Sequence, residues 1–199
     1  MPILRRLSLL LAIILLAVLA GCAGEPVQPT PEAAPAVLER PEKSDQARLK
    51  DALMGGEMPP PAEVVDLSDR LLNNSSAIND EETMARLELV LLKALKAADK
   101  DAKPAIWRNL GLIHYHQRKF KEARQELQSA IELNPKDARS RFYLSRVFTS
   151  QGEIYEKQGK TKLARKQFKR AAIEMEMARK LEPGNPLYRQ NPTPPNGRE

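Results

Sequence analysis

Two stretches of this chain place small and large apolar residues at the same intervals, and that coincidence limits the fold more tightly than any other feature. In the first, Trp107, Leu110, Gly111 and His114 are followed by Ala123, Leu127 and Ala130, and Pro135 closes the unit. In the second, Gly152, Tyr155, Ala164, Phe168 and Ala171 repeat the intervals of Gly111, His114, Ala123, Leu127 and Ala130, and Pro183 closes it. Spacings of three and four mark one face of a helix. Gly111 and Ala123 are small enough to let two antiparallel helices approach closely. Pro135 stops the second helix at Asn134, because its ring cannot continue the hydrogen-bond ladder. Each unit therefore reads as a helical hairpin.

The first unit resembles the tetratricopeptide repeat (TPR), whose pattern sets Trp, Leu-Gly, Tyr, Ala, Phe and Pro across about 34 residues. His114 stands at the Tyr position and Leu127 at the Phe position, both able to fill an apolar slot. The second unit is longer. Gly152 lies 41 residues after Gly111, and Pro183 lies 48 after Pro135. One extra heptad at the start of the first helix (Asp137 onward) and one at the end of the second (171–178) account for both offsets. In an antiparallel hairpin these are the same end, so the helices lengthen together by about two turns. The expected fold is an all-α, TPR-like stack of antiparallel hairpins, with TPR 1 over 104–137 and an extended TPR 2 over 138–186 that protrudes beyond it.

Upstream, Asn79-Asp80-Glu81-Glu82 is a capping-box start for a helix reaching about Lys100, and 62–72 reads as a shorter helix before it. The segment 62–103 is then an N-terminal hairpin, a cap or degenerate repeat. Ser44 to Met54 could form one short helix, capped by Ser44 and stopped at Gly55-Gly56, but only if it docks. Otherwise 22–61, with eight prolines, reads as an extended Pro-rich tether, and 187–199 as an irregular tail. No amphipathic helix follows Leu181, so one face of the long hairpin stays open unless Leu187 and Tyr188 fold back, a partner covers it, or a second copy makes a homo-oligomer.

The beginning of the chain is read as an address. Arg5 and Arg6 precede an apolar run from Leu7 to Ala20, about 21 Å as a helix and short of a ~30 Å hydrocarbon core. That favours a signal peptide, 1–21, over a spanning helix. Leu19-Ala20-Gly21-Cys22 resembles the lipobox of bacterial lipoproteins, which implies lipidation of Cys22. Two or three acyl chains at about 0.8 kcal/mol per buried CH₂ anchor a protein stably. With Ala23 rather than Asp after the cysteine, the resemblance implies the outer membrane, with the protein facing the periplasm.

Charge and composition narrow the chemistry. With one Cys and two His, neither an intrachain disulfide nor a Cys/His zinc site can form. His114 and His116 point to nearly opposite sides of a helix and cannot share a metal, and His114 takes a core position. No Ser, Thr or Asp has a recognisable base partner and no phosphate-binding loop is present, so no catalytic residue, metal or cofactor is expected beyond the lipid on Cys22. Residues 22–103 carry net charge −6 and 138–182 carry +7. The densest run holds Lys157, Lys160, Lys162, Arg165, Lys166, Lys169 and Arg170. It is either a solvated helix face or an electrostatic site for an acidic protein, anionic lipid or cell-wall polymer; export argues against nucleic acid.

In the TPR resemblance, the first helix of each pair lines a groove that binds protein partners. The residues one helical step off the packing stripe are Arg108, Leu112, Tyr115 and His116 in the first unit, and Arg146, Thr149, Glu153 and Glu156 in the second. The expected function is a lipid-anchored scaffold or assembly factor that holds a protein partner of the cell envelope. The alternative is a structural envelope protein acting through its basic hairpin.

Overall fold

The computed structural model describes residues 44–55 and 58–189, and among these it is wholly helical. The expected signal peptide, the expected lipidation residue Cys22, the start of the expected tether and the tail beyond Arg189 lie outside the described residues. Eight α-helices follow in order: α1 (Asp45–Leu53), α2 (Pro61–Leu72), α3 (Ser75–Ile78), α4 (Glu81–Ala97), α5 (Lys103–His116), α6 (Phe120–Leu133), α7 (Ala138–Lys157) and α8 (Thr161–Leu181). A short 3₁₀ turn, Pro186–Arg189, ends the described chain.

The helices pair as antiparallel hairpins, α5 with α6 and α7 with α8, behind an N-terminal pair made by α2 and α4. One continuous core runs through them, with Val64 and Leu71 from α2, Leu87 and Leu91 from α4, Ile106 and Leu110 from α5, Leu127 from α6 and Val147 from α7. Side-chain caps start several helices: Asn74 Oδ1 accepts from the Ser76 amide (2.9 Å), Asp80 from the Thr83 amide (3.3 Å), and Asp137 from the Ser140 amide (3.1 Å). Each satisfies a backbone N–H that would otherwise lack a partner.

The two repeats close in the same way. A Cβ added at Gly111 would lie 2.7 Å from Leu127 Cγ, and one at Gly152 would lie 2.6 Å from Phe168 Cε1. The glycines are what let the large residue of each second helix sit against its first helix. The last hairpin is lengthened as its spacing requires. Its helices have 20 and 21 residues, against 14 and 14 in the hairpin before it, which adds about 10 Å.

Two expectations are corrected. Residues 44–54 are not tether: α1 is capped by Ser44, whose Oγ accepts from the Ala47 amide (3.2 Å), and it buries Leu49 and Ala52 against α4. Apolar burial supplies the docking that so short a helix needs. The tail does not begin free at 187. Tyr188 is buried on Phe142, Met175 and Ala178, and Arg179 Nε donates to its carbonyl (2.6 Å). Of the three alternatives for the open face, the first holds in part: Tyr188 folds back, while Leu187 remains exposed. The lengthened end is also packed. Asp137, Ala138 and Ser140 are buried there, and Arg139 Nη1 reaches Asp69 on α2 at 2.9 Å.

Candidate functional site

The groove residues divide into those that hold the fold and those that face outward. Leu112 is completely buried and belongs to the core, not to a groove. One step off the stripe on α5 still faces a neighbour, because α2 and α4 both pack on that helix. Arg108 is likewise committed: Nη2 contacts Asp69 at 2.9 Å, Nη1 lies 3.5 Å from Asp137, and Nε donates to Asn109 Oδ1 at 3.0 Å. Asp69 thus links Arg108 and Arg139, tying the first turns of α7 to α2 and α5. Thr149 returns its hydroxyl to the Ser145 carbonyl (3.0 Å). Glu153 is half-buried, while Arg146 and Glu156 are exposed.

Tyr115 and His116 are brought together with a residue outside the expected set, Tyr143 on α7. Ring centroids are 5.3 Å apart for Tyr115–His116, 5.8 Å for Tyr115–Tyr143 and 6.4 Å for His116–Tyr143, all edge-on. Phe120 and Phe142 extend the cluster at 6.2 and 5.2 Å from its tyrosines. Edge-to-face aromatic contacts of this kind add about 0.5–1.5 kcal/mol each beyond burial. Burial lowers the pKa of His116 and keeps the ring neutral, and its Nε2 is buried without a hydrogen-bond partner among the described residues. The cluster spans the first helices of two consecutive hairpins and leaves partly exposed aromatic edges. Tyr143 was visible in principle, since it lies three residues before Arg146 and so shares its helical face.

His114 fills the core position expected of it, but with partners that spacing did not reveal. Its Nδ1 donates to Glu126 on α6 (2.6 Å), and its Nε2 lies 3.3 Å from Glu88 on α4. The Glu126 hydrogen bond, reinforced by both carboxylate charges, raises the imidazole pKa against the opposing effect of burial. The pair clamps three helices. Among the described residues, no group of three or more His, Cys, Asp or Glu is placed to hold a metal ion.

The seven basic residues of the 157–170 run are all exposed, and none forms an ion pair among the described residues. Arg170 alone has a close partner, with its guanidinium 5.7 Å from the centre of the Phe148 ring. Several arginines elsewhere are paired, as Arg70 is with Asp45 (2.9 Å) and Arg141 with Glu174 (2.9 Å). α8 also begins without a side-chain cap and without an acidic residue in its first turn. Positive charge in that first turn opposes the helix dipole.

Stacked antiparallel hairpins define the class of helical-repeat folds. Within it, residues 104–137 match the family model described as tetratricopeptide repeat, a repeat that suggests protein partners. No curated protein matches the chain. No helix among the described residues is long and apolar enough to cross a membrane.

Proposed function

We propose that this chain is a lipid-anchored scaffold of the bacterial envelope. It is held at the outer membrane through Cys22, faces the periplasm, and presents its repeats to a protein partner during assembly of an envelope complex. The anchor rests on Leu19-Ala20-Gly21-Cys22 following an apolar run. The binding role rests on one observation, the Tyr115–His116–Tyr143 cluster shared by α5 and α7. Partly exposed aromatic rings on a rigid helical frame are the side chains that most often dominate protein interfaces. With Leu112 and Arg108 assigned to the core, the groove reduces to Tyr115, His116, Tyr143 and Arg146, flanked by Glu153. Cross-linking in intact cells, with Tyr115→Ala and Tyr143→Ala combined, should lose a specific partner that the native chain captures; unchanged recovery would sink this reading. Labelling with palmitate should mark the native chain and not Cys22→Ser.

A second reading is favoured by the unpaired run Lys157 to Arg170: a structural protein that binds anionic lipid or cell-wall polymer through the tip of the last hairpin. Charge reversal at Lys162, Lys166 and Lys169 separates the two. Loss of envelope sedimentation with partner capture intact would support it.

A further inference from the structure

We infer that a second docking site lies between α6, α7 and α8, apart from the aromatic groove, and that its ligand is an acidic segment of a protein partner with aliphatic side chains beside its carboxylates. A cleft of about 390 Å³ is lined there by Arg124 and Gln128 of α6, Phe148 of α7, and Arg170, Ile173 and Glu174 of α8. Its charge is not balanced. Glu174 is already neutralised by Arg141 Nη1 at 2.9 Å, whereas Arg124 and Arg170 have no ion-pair partner among the described residues. Two guanidiniums therefore face one cleft with no carboxylate free to answer them. Arginine forks bind carboxylates strongly, and partial desolvation beside Phe148 strengthens such a contact.

The cleft also offers apolar surface. Phe148 and Ile173 both line it, Phe148 buried and Ile173 61% exposed. On α8 the stripe continues in both directions. Leu163 and Met177 are exposed, and Lys166 and Arg170 lie between them at helical spacing. An alternation of aliphatic and basic groups along one exposed helix face complements an alternation of aliphatic and acidic groups on a partner. Two arginines alone would serve a bare phosphate or carboxylate equally well. The exposed Ile173, Leu163 and Met177 are what select a protein segment over a soluble anion.

The test uses the full chain in detergent and a short fluorescein-labelled helical peptide with Glu and Leu along one face, followed by anisotropy. The native chain should bind it. Arg124→Glu combined with Arg170→Glu should weaken binding by about tenfold or more, and Ile173→Glu, at a site already exposed, should do the same. Tyr115→Ala with Tyr143→Ala should leave this binding unchanged, which keeps the site distinct from the groove. The inference fails if the double arginine variant, still helical by circular dichroism, binds as the native chain does. It also fails if a Glu/Ser peptide binds as tightly as the Glu/Leu peptide, or if phosphatidylglycerol vesicles are bound while the peptide is not.

Discussion

The two C-terminal hairpins share one plan carried out with different residues, and the differences show which contacts the plan requires. Their turns are superimposable in hydrogen bonding: the Lys119 amide donates to the His114 carbonyl (2.8 Å) and the Lys160 amide to Tyr155 (2.9 Å). The residue before each donor is left-handed, Arg118 at φ 61° and Gly159 at φ 70°. One turn spends a glycine on that conformation, and the other places a strained arginine there. The same contrast appears between the helices. His114 of the first hairpin is bound to Glu126; the matching residues of the second are Tyr155 and Gln167, and Gln167 Oε1 is buried without a partner among the described residues. The first hairpin is held on both sides, and both hairpins carry a charged link between their helices, His114–Glu126 in the first and Arg141–Glu174 in the second. The second is held on one side, and Tyr188 and Asp69 secure its extra length.

The comparison can be broken most sharply at Asp69, the one carboxylate that serves both Arg108 and Arg139. Asp69→Ala should cost about 1–3 kcal/mol by chemical denaturation, because it leaves the half-buried Arg108 short of its main partner. A cost no greater than that of a surface substitution would mean that α7 does not depend on this link.

Next come the two glycines. Gly111→Ala meets Leu127 Cγ, which is fully buried and cannot retreat, and should destabilise by about 1–2 kcal/mol. Gly152→Ala meets the far end of a half-buried Phe168 ring that can turn outward. The gain in helix propensity, about 1 kcal/mol, should offset most of that contact. Equal losses in both variants would refute the distinction.

His114 gives a pH signature that the second hairpin, with Tyr155 at the matching position, lacks. Its pKa is raised in the folded state, so the stability from the Glu126 and Glu88 contacts is fully present below the ordinary imidazole value of 6.5. It is lost as pH rises through the raised folded value. Melting temperatures of Glu126→Gln should show a flatter dependence across that window than the native chain; matching slopes would remove His114 as the cause.

The smallest effect is expected in the turn. Arg118→Gly should stabilise by about 0.5–1 kcal/mol by relieving the left-handed arginine, whereas Gly159→Ala should destabilise by a similar amount. Opposite signs are the prediction, read from denaturant midpoints.

The hairpins were legible because helical spacing is a local property. Gly111 and Ala123, Gly152 and Ala164, and Pro135 each act within one unit. The groove was less legible. Arg108 and Leu112 have the spacing of outward residues, and only the neighbouring α2 and α4 decide that they are covered. Tyr143 joins Tyr115 because α7 lies beside α5, a distance of 28 positions along the chain. The cleft at Phe148 draws on three helices and has no signature in any one of them.

What sequence alone determined about this protein is the helical-repeat architecture, the doubled interval with its added heptads, and the concentration of positive charge in the last hairpin. All three depend on residues within a helical turn or two of one another. Tertiary structure decided that α1 docks, that Tyr188 packs on the long hairpin, that Asp69 serves two arginines, and that Arg124 and Arg170 are left without a carboxylate among the described residues. Those outcomes turn on which helix faces meet. Pairing between distant charges and burial of distant apolar groups are set by the stacking of the hairpins, and no spacing along the chain encodes that stacking.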